Sequence, residues 1–168
     1  MQHKVIDTKD VVIRFAGDSG DGMQLTGSLF ADMSAIFGNE LSTFPDYPAE
    51  IRAPQGTVSG VSGFQVHIGS EHIPTPGDFC DLLVAMNPAA LKANAKCLKM
   101  TAMVLIDSDT FDDTGLARAG VEGDPIAEMH IEDRTIIVAP ITTHTHESLN
   151  DSGLDKKTIE KCKNMFTL

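Results

Sequence analysis

An α/β fold, with a mostly parallel sheet covered by helices on both faces, is predicted by three observations. Short apolar, β-branched runs alternate with helix-period segments along the chain. The runs Asp81 to Met86, Ala102 to Ile106 and Thr135 to Ala139 are near-continuously apolar, the pattern of strands buried on both faces. A glycine turn, Gly17 to Gly22, separates the first such run from a helix pattern. These place the chain in a three-layer, Rossmann-like class.

The elements follow in order. Val11 to Ala16 reads as a strand ending at Gly17. From Met23 to Phe37, Leu25, Leu29, Met33 and Phe37 recur every four positions with Ile36 beside them, lining one face of a helix. Phe44 to Thr57 holds Pro45, Pro48 and Pro54 and no helical period, so a long loop is expected there. Val61 to Ile68 alternates as a strand, and Gly63 within it marks a bulge or a close backbone approach. Asn87-Pro88 supplies an N-cap and an N1 proline for a helix through Lys96. The stretch Ile126 to His130 fits neither period. Asp155 to Leu168 reads as a helix with Ile159, Cys162, Met165 and Phe166 on one face and no stop signal. A partner over this end, or an origin in a longer polypeptide, is the expectation.

Composition removes several function classes. The chain has 168 residues and a net charge of −11, which disfavours a protein built to grip phosphate backbones, so no nucleic-acid partner is expected. No apolar run approaches the roughly 18 residues of a membrane span, and Met1 to Asp10 has no apolar signal core, so no membrane partner is expected. Cys80, Cys97 and Cys162 form no CxxC, and reduced thiols in the cytoplasm are the expected state.

The glycine turn reads Gly17-Asp18-Ser19-Gly20-Asp21-Gly22. Glycines between a strand and a helix let backbone N–H groups approach a phosphate. The dinucleotide fingerprint needs G-x-G-x-x-G, whereas these glycines run G-x-x-G-x-G, and Asp18 and Asp21 would repel a pyrophosphate. No Lys-Ser/Thr follows, so the Walker pattern fails too. Gly20-Asp21-Gly22 resembles the opening of a thiamine-diphosphate motif, but Asn39 comes too early and Asn87 too late to complete it. A tight structural turn, with Asp21 capping the helix, stands beside the ligand-binding reading.

Two stretches in order carry a family resemblance. Ile13-Arg14-Phe15-Ala16-Gly17-Asp18-Ser19-Gly20-Asp21-Gly22 resembles the opening of the gamma-type domain of 2-oxoacid:ferredoxin oxidoreductases. So does Phe44-Pro45-Asp46-Tyr47-Pro48-Ala49-Glu50-Ile51-Arg52-Ala53-Pro54-Gln55-Gly56-Thr57. Stand-alone gamma subunits read GxGGQG and SYGPExRGG at these places. The acidic GDSGDG and YPAEIRAPQG look like the form at the N-terminus of the alpha chain, as in 2-oxoglutarate:ferredoxin oxidoreductases. Ile73-Pro74 and Asp81 to Ala85 extend the likeness, which is close over about the first hundred residues.

The resemblance implies that residues 1–168 are one gamma-type domain, cut within its last helix, of a longer alpha chain. Such enzymes decarboxylate a 2-oxoacid oxidatively to an acyl-CoA and reduce ferredoxin. It implies that thiamine diphosphate, magnesium and the iron–sulfur cluster lie elsewhere in the complex. The implied partners are a thiamine-binding beta subunit, the remainder of the alpha chain and, through the complex, ferredoxin. It implies a non-catalytic, CoA-proximal domain with Gly17, Ser19, Gly20, Gly22, Tyr47 and Arg52 as the cofactor-binding set. Arg52 could fork onto a phosphate, and Tyr47, the sole tyrosine, could lie against adenine or pantetheine. Their chemistry alone also allows Arg52 to pair with Glu50 or Asp46 and Tyr47 to be packing. No metal set is expected: His144-Thr145-His146 would face one way only on a strand, and a solvated turn is preferred. Asp107, Asp109, Asp112 and Asp113 are expected to form a solvated acidic loop.

Overall fold

The computed structural model describes residues 8–48 and 60–168. Six strands form one sheet in the order β2-β3-β1-β4-β5-β6. These are β1 (Asp10–Asp18), β2 (Glu40–Asp46), β3 (Val61–Gly69), β4 (Cys80–Ala85), β5 (Leu98–Asp107) and β6 (Thr135–Ala139). The pairs β1/β4, β4/β5 and β5/β6 are parallel, while β3 runs antiparallel to both β1 and β2. The helices are α1 (Met23–Ile36), α2 (Pro88–Asn94), α3 (Asp113–Ala119), α4 (Pro125–Glu128), α5 (Ile141–Leu149) and α6 (Lys156–Glu160), with a 3₁₀ turn over Lys163–Thr167.

The strand alternation sorts the core into two layers. Val12, Ala16, Leu83, Ala85, Val104 and Ile106 face Ala90 and Leu91 of α2. Ile13, Phe15 and Val84 face the other way, against Met23 of α1 and Ile141 of α5. The predicted three-layer α/β class is therefore the observed one. Asn87 accepts from the Ala90 amide at 2.8 Å and Pro88 opens α2, as the sequence predicts.

Four local expectations are corrected. The expected loop from Phe44 begins inside β2, an edge strand that tolerates Pro45 because its outer side needs no ladder hydrogen bond; residues 49–59 lie outside the described set. Thr142 to Glu147 belongs to α5, where positions two apart diverge, so His144 pairs with Glu147 at 3.3 Å and His146 with Glu160 at 3.0 Å. The acidic turn is not uniformly solvated. Asp107 is fully buried and accepts from the Thr142 hydroxyl at 2.6 Å, while Asp109 accepts from the Thr143 amide at 2.6 Å. Both carboxylates thus cap α5, whose own preceding residue, Pro140, offers no side-chain acceptor. The C-terminal segment breaks after α6 into the 3₁₀ turn, and Asn164 rather than Met165 or Phe166 is buried.

The face of α1 is the largest departure. Its period is right, but Met23, Thr26, Gly27, Ala31 and Ser34 point inward. Leu25, Met33, Ile36 and Phe37 point out. A Cβ at Gly27 would overlap the ring of Phe64, so the helix lies against β3 at glycine distance.

Candidate functional site

The parallel sheet ends in the glycine turn, and two cavities flank it. Gly20 and Gly22 adopt φ of 111° and 79°, the left-handed region that glycine reaches without strain. The turn closes on itself: Asp21 donates its amide to the Asp18 carbonyl at 3.0 Å, and its carboxylate accepts from the Asp18 amide at 2.9 Å. Asp21 therefore does not cap α1. The N-cap residue is Gly22, which places Asp21 one residue too early.

The C-terminal 3₁₀ turn locks this arrangement. Lys163 sits 3.3 Å from Asp21 and 3.4 Å from Glu160. Asn164 donates to the Gly22 carbonyl at 3.3 Å and accepts from the Thr26 hydroxyl at 3.3 Å. Burial pushes the Asp21 carboxyl up, against the opposing pull of Lys163, and the net shift is upward. Burial pulls the Lys163 ammonium down, but the Asp21 and Glu160 carboxylates outweigh it and the net is also upward. The His146 hydrogen bond leads the lowering of Glu160.

One cavity, of about 430 Å³, is lined by Ser19, Gly20, Gly22, Met23, Gln24, Tyr47, Pro48 and Ser62. It gathers four of the six predicted cofactor-binding residues. Gly17 lies within β1, opposite Ser62, and does not line it. Arg52 and Glu50 lie outside the described residues. The Ser19 amide is already engaged, donating to the Gly60 carbonyl at 3.3 Å. Gln24, which the sequence did not single out, donates to the Asp46 and Gly63 carbonyls and to the Ser62 hydroxyl. Its buried Oε1 has no hydrogen-bond partner among the described residues.

The second cavity, of about 420 Å³, lies over the carboxyl ends of β1 and β4, where the chain order of the sheet reverses. Asp18 and Asn87 meet there, with Asn87 donating to the Asp18 carboxylate at 2.9 Å. Arg118 and Lys163 are its cations.

Below the turn, Arg14 is buried in an otherwise apolar strand. Its guanidinium binds Asn94 at 2.5 Å and Gln65 at 3.3 Å and pairs with Asp46. A Cβ at Gly63 would lie 3.2 Å from Arg14 Nη2, which is the close approach the sequence predicts there. Among the described residues no group of three His, Cys, Asp or Glu is placed to hold a metal ion. No helix among them is long and apolar enough to cross a membrane.

The class is thus a three-layer α/β domain whose cavities open beside a strand-to-helix glycine turn. The sequence matches the pyruvate ferredoxin/flavodoxin oxidoreductase family over residues 12–168, and the chain belongs to that family. It is 49% identical over 160 residues to the 2-oxoglutarate oxidoreductase subunit KorA of Mycobacterium tuberculosis, covering 95% of this chain and 24% of that protein. The fold superposes with a TM-score of 0.70 and 27% identity on a 2-oxoglutarate:ferredoxin oxidoreductase from Magnetococcus marinus solved with 2-oxoglutarate, coenzyme A and succinyl-CoA. That match covers 95% of this chain and 23% of the other. A keto/oxoacid ferredoxin oxidoreductase gamma subunit from Geobacter sulfurreducens shares the fold at TM-score 0.60 and 23% identity, over 92% of this chain and 71% of its own. The chain spans about a quarter of the length of the first two.

Proposed function

We propose that this chain is the gamma-type domain of a 2-oxoacid:ferredoxin oxidoreductase alpha subunit, with 2-oxoglutarate or a related 2-oxoacid as substrate. The observation that carries this is the 49% identity across 95% of the chain to a 2-oxoglutarate oxidoreductase subunit. Residues 1–168 form one domain of the longer polypeptide, and oxidative decarboxylation with ferredoxin reduction is work of the whole complex in the cytoplasm. Thiamine diphosphate, magnesium and iron–sulfur chemistry belong to the other parts, including a beta subunit.

The domain's own contribution is a CoA-proximal surface and subunit contacts. The 430 Å³ cavity supports an uncharged portion of CoA: its wall is glycine backbone, Tyr47, Pro48, Met23 and Gln24, and no cation lines it among the described residues. Gly20, Gly22 and Tyr47 would hold a pantetheine or adenine group, with Ser19 contributing its side chain because its amide is engaged. The polyanionic end needs Arg52, and Gly17 acts by leaving room for the Asp21 carboxylate, 2.9 Å from where a Cβ would sit, rather than by touching the ligand. In the assembled complex, Arg52→Ala should raise the KM for CoA about tenfold, one charge-assisted contact, with the KM for 2-oxoglutarate unchanged. Unchanged CoA kinetics overturn the CoA assignment. The lack of a described cation at the cavity favours a second reading, a purely interacting domain, in which loop variants weaken assembly and leave the KM for CoA alone.

A further inference from the structure

The outward face of α1 carries a row of large apolar side chains on an acidic chain. Leu25 and Met33 are about half exposed, and Ile36 and Phe37 are 82% and 79% exposed. Half-buried Leu29 completes the row, and Asp32 is the helix's one charge. Met23 and half-buried Phe30 enter the core, while the other inward positions are small or polar, as at Gly27 against Phe64, and the remaining large side chains face away. The apolar surface does not stop at the helix. Met165 and Phe166 of the 3₁₀ turn that packs against α1 are exposed as well. A row of large, exposed apolar side chains along one helix face marks an interaction site.

We infer that this face docks the remainder of the oxidoreductase polypeptide, through an apolar patch with a basic residue placed to meet Asp32. The inference rests on the proposed function. Two observations choose this occupant over a second copy. The segment is 24% of its 49%-identical relative, so three quarters of one polypeptide has to pack around such a domain. A symmetric dimer would bring together two chains of net charge −11.

The test uses the assembled complex. Hydroxyl-radical labelling reads Met33 and Phe37 directly, with the urea-unfolded complex as reference. The expected result is at least tenfold protection of both in the complex. In parallel, Ile36→Asp with Phe37→Asp, both at surface positions, should leave the far-ultraviolet spectrum and melting of the domain unchanged. It should also make the domain the first piece released by limited proteolysis. Labelling of Met33 and Phe37 near the unfolded rate in an intact complex overturns this inference alone. Concentration-dependent protection of the 168-residue chain by itself overturns it in favour of a second copy. A wild-type chain that forms no complex with the oxidoreductase polypeptides overturns it together with the proposed function.

Discussion

The two helices that follow β1 and β4 obey different rules. At α2, local signals and packing agree: Asn87 caps, Pro88 opens the helix, and Ala90 and Leu91 are completely buried. At α1 they diverge. The cap is a left-handed glycine with no side-chain hydrogen bond, the buried face is mostly small beyond Met23 and Phe30, and Leu25, Met33, Ile36 and Phe37 look outward. α2 is started by signals local to it, Asn87 and Pro88, and then packs on β1 as those signals direct. α1 is held by distant contacts, to Phe64, to Asn164 and through Gln24 to β2, and its surface is left for something else.

That contrast can be broken in order of effect. Leu91→Ala removes a fully buried side chain of α2 and should cost about 3 kcal/mol in chemical denaturation. Gly27→Ala in α1 should cost about 2 kcal/mol: the Cβ overlaps Phe64, and the overpacking outweighs the roughly 1 kcal/mol of helix propensity gained. A gain in stability on that change would show that the helix can slide on β3.

Lys163→Met should cost about 1 kcal/mol at neutral pH, the upper end for a pair that keeps some solvent contact, by leaving the Asp21 carboxylate without its cation. The pH dependence has a definite sign. Lys163 is raised, so its stabilisation is complete below about pH 10.5 and is lost as pH climbs through the folded value; the variant lacks this alkaline loss. Asp21 is raised above 3.8, so protonating it relieves its burial, and the gap between variant and wild type should narrow as pH falls through that region. A gap constant from pH 3 to 11, measured by thermal melts, would remove the ion pair from the account. Last, Ile36→Ser on the outer face of α1 should change the isolated chain's stability by less than about 0.5 kcal/mol. A cost near that of Leu91→Ala would mean that Ile36 belongs to the core.

Much of this was legible from residues. Five of the six strands read directly, because β1, β4 and β5 are buried and their apolar runs stand out, while Asn87-Pro88 announces α2 by chemistry local to it. β2 was hidden because Glu40–Asp46 is an edge strand with a polar, proline-containing sequence. The α1 period was visible but its facing was not, since a period names a stripe and not the surface it meets. At the site, the glycines and Tyr47 were visible as a cluster, and the structure brings Ser19, Gly20, Gly22 and Tyr47 to one cavity. Gln24 and Lys163 were not, because only the tertiary fold places them at the turn. The buried role of Asp107 was likewise concealed by three acidic neighbours that look solvated in sequence.

The contact between Asn164 and Gly22 joins residues 142 positions apart. A chain growing at about 5–20 residues per second needs about 7–30 s to make the second after the first. During that interval the glycine turn exists without the side chain that fixes its carbonyl, and Asp21 without Lys163. The cavity rim nearest the start of the chain is therefore among the last parts to be completed during synthesis, and a nascent chain stalled before Lys163 carries an unfinished pocket.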